Sequence, residues 1–385
     1  MPYRTAKLTI HEWVGATESR YNLADGHPRQ ALTPGQLLAI GDVRNLFIKS
    51  AARNEGDVKA AFEDAFFTLA GQGSVHGLRP LLSHYSGSSA IEVMANYLRM
   101  QKVTVTMAHP TFDSLADTLK RHEVPLTSMP VEDVLNLTPS SPPIGTQALY
   151  AVMPNNPTGH CPTREQFAGM VGFCARYGIL LLADFCFRFY GDFWAYDQYQ
   201  MLTDAGVEFV CTEDTGKTWP AGDVKLGMLV ASDGPYGLLK DISDDFLFSV
   251  APFTYEIVTR LIAAEDGKTR RVLAQDVADA NREVLREALD GSPLQVVNPG
   301  HRMGLDWVLL PADWNATALT DWLRAEDGPQ LLPGERFYWA DYQAGSRYVR
   351  VALLRDPGYF AEAAASLRKL ADQYQPGWHV AGPSW

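Results

Sequence analysis

Short apolar runs alternate with amphipathic segments over the first two thirds of the chain. Segments with a helical period precede or separate these runs, at 34–50, 58–70 and 167–177. A capping box formed by Thr163 and Gln166 begins the last of these segments. The runs themselves predict strands at 103–107, 148–152, 179–183 and 207–212. Strands that are apolar on both sides and alternate with helices form mostly parallel sheets with helices on both faces. The pattern therefore predicts an α/β domain.

The pattern changes from about residue 290 onward. The strands predicted there are 294–297, 303–310 and 348–355, and the helices are 317–324 and 359–374. A long helical segment at 272–289 precedes them, whereas the start of the chain mixes turn formers with charge and has no period. We therefore expect an arm at 1–36, a large domain at 37–285 and a small α+β domain at 286–385.

Composition narrows the classes of protein to consider. The 385 residues carry a formal net charge of −12, which argues against a general nucleic-acid-binding or anionic-membrane-binding surface. No apolar run is long enough to span a bilayer, and the N-terminus lacks the apolar core of a secretion signal, so we expect a cytoplasmic protein. The four cysteines form no CxxC pair and lie in or near apolar segments, which favours reduced thiols over a metal site or disulfides.

Four chemically different side chains follow predicted strands at their carboxyl ends. They are Phe112, Asn156, Asp184 and Lys217. Ligands of open parallel sheets bind at this edge, so we expect the four side chains to meet there. Taken singly, each has a plainer interpretation, since Lys217 could be a solvated surface lysine and Asp184 a strand-end cap. Their joint occurrence at four strand ends is more specific than any one of them.

Two further features suit a ligand that carries a phosphate. The turn Ser86-Gly87-Ser88 opens a helix, whose first backbone N–H groups and positive dipole end favour a phosphate, although such a turn is also a common helix cap. Lys225 stands eight residues after Lys217 and could hold the same phosphate. Lys217 itself could form an imine with an aldehyde cofactor.

These residues together resemble the signature of fold-type I pyridoxal-phosphate enzymes, the aminotransferase-like family, which has a three-layer large domain. Asn156-Pro-Thr-Gly, Asp184, Lys217 and Lys225-x-Gly227 stand in the order that the family has. The resemblance implies pyridoxal 5′-phosphate bound as a Schiff base on Lys217. It also implies that Asp184 keeps the ring nitrogen protonated and that Asn156 donates to the phenolic oxygen.

The same resemblance implies roles for further positions. Phe112 would stack on the cofactor ring, and Lys225 with the Ser86–Ser88 helix start would hold the phosphate. Arg350, in the middle of a small-domain strand, would clamp the substrate α-carboxylate, with an interdomain ion pair as the plainer alternative. The family's usual tyrosine three positions after the aspartate is Phe187 here, so one hydrogen bond to the phenolic oxygen is missing.

Three longer stretches narrow the resemblance. They are Asn22-Leu-Ala-Asp25-Gly-His27-x-Arg29-Gln-Ala-Leu-x-Pro34-Gly-Gln36, His109-Pro-Thr-Phe-Asp113 and Glu213-Asp-Thr-Gly-Lys217-x-Trp219-Pro220. Together they are similar to the pyridoxal-phosphate- and O2-dependent L-arginine oxidases (hydroxylase/deaminases) of natural-product pathways, including antibiotic biosynthesis. In that group the N-terminal arm closes over the active site, and acidic residues bind the substrate guanidinium.

The narrower resemblance implies which residues bind and oxidise the substrate. Glu12 and Asp214 are candidates for the guanidinium, with Thr9 and Asp25 as further substrate contacts. His27 would be the catalytic residue for adding oxygen at the side chain, while a turn histidine in an Asp-Gly-His bend is the plainer interpretation. The implied reaction oxidises free L-arginine with O2, without metal or flavin, to 4-hydroxy-2-oxo-arginine, 2-oxo-arginine or dehydroarginine.

Other activities stay open at this point. Phe185 and Cys186 depart from the residues of close relatives, which leaves the exact product open. An ordinary aminotransferase, or a cyclase forming a capreomycidine- or enduracididine-type ring from hydroxyarginine, would use the same fold. A cofactor-sensing domain of a regulator is a different class and would require an attached binding module. Sites of this fold type usually lie at a dimer interface, so we expect a homodimer that acts on an amino acid and binds no nucleic acid or membrane.

Overall fold

Two β-sheets organise the chain, one of seven strands and one of four. The computed structural model describes residues 19–191, 195–221, 224–267, 270–297 and 302–377. Over these ranges the helices, numbered in chain order, are α1 Pro34–Ile40, α2 Val43–Ser50, α3 Glu55–Leu69, α4 Gly87–Met100, α5 Asp113–Arg121, α6 Val131–Leu135, α7 Arg164–Tyr177, α8 Gln198–Asp204, α9 Asp233–Phe246, α10 Pro252–Ala263, α11 Leu273–Leu289, α12 Ala316–Ala325 and α13 Pro357–Ala371. The strands are β1 Leu82–His84, β2 Val105–His109, β3 Leu126–Pro130, β4 Ala148–Val152, β5 Leu180–Asp184, β6 Phe209–Asp214, β7 Gly227–Ala231, β8 Gln295–Val296, β9 Leu305–Leu309, β10 Leu332–Pro333 and β11 Tyr348–Ala352.

The larger sheet has the strand order β1-β7-β6-β5-β4-β2-β3 and is mostly parallel. Only β7 runs antiparallel to its neighbours, β1 and β6, among the described strands of this sheet. The predicted mostly parallel α/β architecture is therefore confirmed, and β2, β4, β5 and β6 are the four predicted strands. The apolar pattern does not predict β3, because this edge strand is largely exposed and has no continuous apolar run.

Alternate residues of the central strands pack into two separate hydrophobic cores. Along β4, Leu149 and Ala151 belong to one core, and Ala148, Tyr150 and Val152 belong to the other. Because successive side chains of a strand point to opposite faces, this alternation means that helices cover the sheet on both sides. A strand of this kind is apolar throughout, which explains why its sequence shows no alternation.

The helical pattern predicted at 34–50 is confirmed, but it is divided into two helices. Gly41 ends α1 with a φ of 67°, a backbone conformation that favours glycine. Asp42 then begins α2 by accepting a hydrogen bond from the backbone N–H of Asn45. The apolar period continues across the break, and for that reason the two helices cannot be separated by period alone.

The smaller sheet has the strand order β10-β11-β9-β8 and is antiparallel throughout its described pairs. Three of its strands, β8, β9 and β11, lie where strands are predicted after residue 290, whereas β10 is not predicted. The helix predicted at 272–289 is α11. Part of the N-terminal arm joins this sheet, because the backbone N–H of Ala352 donates to the carbonyl of Leu23 and that of Arg29 to the carbonyl of Leu354. The arm residues nearest the sheet are thus tied to β11 and the loop that follows it.

The described helices include none that is both long and apolar enough to cross a membrane. All four cysteines are free, with Cys174 and Cys211 buried and Cys161 and Cys186 half-buried. Burial raises the pKa of the Cys174 thiol to about 12, so this thiol stays protonated.

The start of β7 sets the position of the turn that precedes α4. A Cβ placed on Gly227 would overlap the backbone of Ser86 and Gly87, so β7 can pass this turn only with glycine at that position. We expect Gly227→Ala to displace the turn and to lower the free energy of unfolding by about 1–3 kcal/mol, the usual cost of overpacking. Urea unfolding of the purified protein measures this change.

The matched control is Gly237→Ala, in α9, where an added Cβ meets nothing within 4 Å. There we expect a gain of about 0.5–1 kcal/mol, since alanine is the better helix former. Equal effects of the two substitutions would contradict the close approach of β7 to the turn.

Candidate active site

The residues singled out in the sequence converge on one cavity of about 380 Å³ at the carboxyl ends of the large-sheet strands. Twelve of them line it, namely Asp25, His27, Ser86, Gly87, Ser88, Phe112, Asn156, Asp184, Asp214, Lys217, Lys225 and Arg350. Thr9 and Glu12 lie outside the described residues. Side chains from several separate segments of the chain therefore surround one cavity at the ends of the strands.

Lys217 lies in the turn after β6. The hydroxyl of Tyr190 donates to the backbone carbonyl of Lys217 at 2.7 Å, and the backbone N–H of Thr215 donates to the carbonyl of Leu226 at 2.9 Å. These bonds fix the turn, so that the Lys217 amine points into the cavity, where Nζ lies 2.9 Å from Nε2 of His27. Burial lowers the pKa of Lys217, which favours the neutral amine that a nucleophile or base requires.

His27 connects this amine to the N-terminal arm. Its Nδ1 lies 2.6 Å from Oδ1 of Asp25, while Oδ2 of Asp25 accepts from Nε of Arg29 at 2.9 Å. When the Lys217 amine is protonated, its positive charge lowers the pKa of His27, and burial lowers this pKa in either case, so a neutral imidazole is favoured. Burial opposes ionisation of Asp25, but its hydrogen bond and charge interaction with His27, together with Arg29, hold the pKa of Asp25 well below its usual range. The ring thus donates from Nδ1 to Asp25 and presents Nε2 to Lys217 as an acceptor.

Asp184 ends β5 at the floor of the cavity. Its Oδ1 accepts from the backbone N–H of Cys186 at 2.9 Å, and burial raises the pKa of Asp184 to about 6. None of the described cationic side chains forms an ion pair with this carboxylate. A buried carboxylate without such a partner is suited to a protonated heterocycle nitrogen, which would supply the missing positive charge.

Asn156 and Arg350 meet on the opposite wall. Nη1 of Arg350 donates to Oδ1 of Asn156 at 3.2 Å, and Nη2 donates to the carbonyl of Ala24. Nε of Arg350 has no hydrogen-bond partner among the described residues, and no described carboxylate pairs with its guanidinium. Burial lowers the pKa of Arg350 to about 10. A buried guanidinium in this condition can accept the carboxylate of an amino acid, whereas the interdomain ion pair considered from the sequence does not form among the described residues.

The start of α4 and Lys225 form the other end of the cavity. Ser86 caps the helix by accepting from the backbone N–H of Ser89, and Lys225 Nζ lies 3.5 Å from Nε2 of His27. The backbone N–H of Gly87 donates to Oδ2 of Asp214 at 2.6 Å. Asp214, predicted as a guanidinium ligand, therefore contacts the helix start predicted to hold a phosphate.

The chemistry of this donor set fits pyridoxal phosphate. The buried carboxylate of Asp184, which forms no ion pair with a described residue, lines the cavity. The Lys217 amine, whose pKa is lowered, also lines it. Lys225 and the α4 start could hold the phosphate, and Phe112, which lines the cavity, could stack on the ring. Asn156 accepts through Oδ1, which leaves its Nδ2 as the donor for a phenolic oxygen.

Two buried arginines that the sequence reasoning missed support the site. Arg355 donates to the backbone carbonyls of Asn22, Asp25 and His27, at 2.8, 2.6 and 3.0 Å, and so fastens the arm segment that carries His27. Arg188 forms a buried ion pair with Glu213 beneath the tip of β6. In the sequence, each of these arginines stands inside or next to an otherwise apolar run, which indicates a buried charge. The sequence does not show which groups each arginine contacts.

Comparisons with known proteins agree with this geometry. A family model described as aminotransferase class I and II matches residues 53–367. A structure of MppP soaked with the product 2-ketoarginine superposes with a TM-score of 0.83 and 31% identity, over 91% of this chain and 99% of that one. The LL-diaminopimelate aminotransferase of Desulforudis audaxviator (strain MP104C) is 26% identical over 262 residues, 64% of this chain and 62% of that enzyme's length. LysN, an α-aminoadipate aminotransferase from Thermus thermophilus, shares the fold with a TM-score of 0.71 at 16% identity, over 96% of this chain and 97% of that one.

The raised pKa of Asp184 makes a prediction about the cofactor-free protein. An acid whose folded-state pKa is raised from 3.8 to about 6 destabilises the fold as the pH rises through this interval, because the unfolded chain ionises more readily. We expect Asp184→Asn to raise the free energy of unfolding of the cofactor-free protein at pH 8 by up to about 3 kcal/mol, and to have little effect at pH 4. Chemical unfolding at the two pH values measures the difference.

The control is Asp204→Asn, an exposed residue at the end of α8, which should change neither value. A gain for Asp184→Asn that is the same at both pH values would contradict the origin of the effect in ionisation.

Proposed function

The chain belongs to the aminotransferase class I and II family, and on that premise we propose that it is a pyridoxal-phosphate-dependent oxidase of free L-arginine. The products would be 4-hydroxy-2-oxo-arginine and 2-oxo-arginine, with dehydroarginine as a further product. The observation that carries the proposal is the position of His27. The arm segment that resembles the arginine oxidases brings this imidazole to 2.9 Å from the Lys217 amine. The similarity to MppP, whose product is 2-ketoarginine, supports the same assignment.

The large domain would hold the cofactor. When bound, pyridoxal phosphate supplies an electron sink for negative charge that develops at the substrate α-carbon. Asp184 would keep the ring nitrogen protonated, Nδ2 of Asn156 would donate to the phenolic oxygen, and Phe112 would pack on the ring. Lys217 would attach the cofactor covalently, and Lys225 with the start of α4 would hold its phosphate.

The small sheet and the arm would hold the substrate. Arg350 is buried and has no described carboxylate partner, so it can bind the α-carboxylate through two parallel hydrogen bonds. We propose Asp25, together with Thr9 and Glu12 of the arm, as the ligands of the guanidinium. Asp214 is the alternative ligand, but it already contacts the start of α4. The arm would cover the cavity and exclude water once the substrate is in place.

Lys217 and His27 would move the protons. A neutral Lys217 amine can take the α-proton of the substrate, and Nε2 of His27 accepts hydrogen bonds at 2.9 Å from that amine. Asp25, in contact with Nδ1, stabilises the imidazole when it becomes positively charged. The three side chains therefore form a relay from the cavity to the arm.

The reaction needs a two-electron oxidant, which we propose is O2. Oxidation of the α-carbon releases two electrons and two protons, which reduce one O2 to hydrogen peroxide, while water replaces the amino group and ammonia leaves. Hydroxylation at the γ-carbon takes its oxygen from a second water and releases two more electrons to a second O2. His27 would direct that water or its proton.

An aminotransferase is the second candidate activity. The similarity to the LL-diaminopimelate aminotransferase of Desulforudis audaxviator favours it, although the match spans less than two thirds of that enzyme. A cyclase acting on hydroxyarginine is a third candidate on the same fold. In both alternatives the reaction needs no net consumption of O2, so oxygen uptake separates them from the proposed oxidase.

We also propose that the enzyme is a homodimer. Leu38, Phe47 and Ile48 on α1 and α2 are each more than half exposed, and Phe248 after α9 is fully exposed. Large apolar side chains exposed in this way favour a surface that another protein covers. Sedimentation equilibrium should give twice the chain mass of 42.6 kDa, and a mass of one chain at micromolar concentration would exclude the dimer.

The decisive experiment incubates the purified, cofactor-loaded enzyme with L-arginine in air and without any added 2-oxo acid. We expect O2 uptake, release of ammonia, and masses corresponding to 2-oxo-arginine and its hydroxylated form. Lys217→Ala should lower the rate by about 10³-fold or more, because it removes both the attachment point and the base. His27→Ala should retain O2 uptake and shift the product toward 2-oxo-arginine.

The control variant is Lys369→Ala, an exposed lysine of α13, which should behave as the wild type. Amino transfer from arginine to 2-oxoglutarate without O2 uptake would replace the proposal with an aminotransferase. An unchanged product ratio in His27→Ala would remove the role proposed for this histidine.

A further inference from the structure

Asp214 places a negative charge of the chain itself on the start of α4. Its Oδ2 accepts from the backbone N–H of Gly87 at 2.6 Å, and its Oδ1 accepts from the backbone N–H of Gly216. A Cβ on Gly87 would lie 2.8 Å from Oδ2, and a Cβ on Gly216 would lie 2.9 Å from Oδ1. The carboxylate thus packs so closely on both backbones that a Cβ at either position would displace it.

This contact occupies the backbone N–H of Gly87, which could otherwise donate a hydrogen bond to a phosphate at the helix start. The first backbone N–H groups of a helix have no partner within it and are the usual ligands of a bound phosphate. In α4, the N–H of Gly87 already donates to Asp214, and the N–H of Ser89 already donates to Oγ of Ser86. Of these first three N–H groups, only that of Ser88 has no acceptor among the described residues.

The charges at this end of the cavity also indicate a weakened attraction for a phosphate. The side-chain stem of Lys225 packs along Gly216, with Cδ 2.7 Å from where a Cβ would stand, so this lysine and Asp214 flank the same glycine. Lys225 favours a phosphate, and the carboxylate of Asp214 opposes one, because two negative groups at one helix start repel each other. The cationic character of this end is therefore partly cancelled before any ligand binds.

We propose that Asp214 is an internal anion that competes with the cofactor's phosphate for the start of α4. The phosphate then contributes little to cofactor affinity, and retention depends on the covalent link to Lys217 and on contacts with the ring. The inference rests on the pyridoxal-phosphate part of the proposed function and is independent of arginine as the substrate. It also has a consequence for reaction type. An aminotransferase must retain an amine form of the cofactor that has no covalent link to lysine, whereas an oxidase can keep that link between turnovers.

The test measures binding of pyridoxamine 5′-phosphate to the cofactor-free enzyme, because this probe cannot link to Lys217. Comparison with pyridoxamine, which has the same ring, then isolates the contribution of the phosphate. Asp214→Asn keeps an oxygen acceptor for the Gly87 N–H and removes the charge. We expect it to bind pyridoxamine 5′-phosphate about tenfold more tightly or better, and to bind pyridoxamine, which lacks the phosphate, as the wild type does. Calorimetry or quenching of tryptophan fluorescence gives both dissociation constants.

Asp214→Ser is the second variant, and it should tighten the same probe for the same reason. Asp42→Asn, which changes the exposed cap of α2, is the matched control for loss of a capping carboxylate and should leave both constants unchanged. The wild type provides a measurement that does not depend on a variant's folding. Its affinity for pyridoxamine 5′-phosphate should exceed its affinity for pyridoxamine by less than about tenfold.

The outcomes distinguish this inference from the proposed function. Equal or weaker binding of pyridoxamine 5′-phosphate by both variants overturns the inference, as does a phosphate contribution in the wild type of about 10³-fold or more. A rise in the KM for arginine with unchanged probe affinity also overturns it and assigns Asp214 to the guanidinium. If the Asp214 variants bind pyridoxamine 5′-phosphate more tightly but the wild type does not oxidise arginine, the inference is supported. The proposal that arginine is the substrate is then rejected.

Discussion

The site depends on surroundings that lower the pKa of the Lys217 amine in a cavity that also contains carboxylates. Burial lowers the pKa of Lys217, and the negative charges of Asp214 and Asp25 act in the opposite direction. Neither carboxylate forms an ion pair with the amine, because each has other partners. Asp25 is held by His27 and Arg29, and Asp214 by two backbone N–H groups. The amine instead lies 2.9 Å from an imidazole nitrogen of His27, which can accept a hydrogen bond from a neutral amine.

The fixed position of that amine follows from an ion pair on the other face of the sheet. Glu213 and Asp214 are consecutive at the end of β6, so their side chains point to opposite faces. Glu213 points into the core, where it accepts from Arg188 and from the hydroxyl of Tyr199 at 2.6 Å. Removing one partner of such a buried pair typically costs about 3–5 kcal/mol, because it leaves the other charge uncompensated. The end of β6, which precedes Lys217, is thus held on one face by the ion pair between Glu213 and Arg188. The turn that carries Lys217 is held by its own hydrogen bonds.

Much of this arrangement could be predicted because it depends on local patterns. Asp184 and Lys217 follow apolar runs, and the ends of parallel strands meet at one edge, so their proximity follows from the strand assignments alone. The position of Asp214 on the α4 start could not be predicted, because it depends on how β7 brings Gly227 against Ser86. The break at Gly41 was also missed, since the apolar period runs through it. Contacts between distant parts of the sequence account for most of the other differences. Arg355 fastens the arm through carbonyls more than 300 positions earlier in the chain, and no local pattern announces such a contact.

These contacts make His27 and Arg350 parts of one unit. Leu23 pairs with β11 through Ala352, and Arg350 on the same strand donates to the carbonyl of Ala24. Lys217, by contrast, belongs to the large sheet. A displacement of the small sheet relative to the large one would therefore change the distance between Lys217 and His27 and the distance between Lys217 and Arg350 together. A substrate carboxylate bound to Arg350 would therefore be bound to the same unit that positions the imidazole of His27.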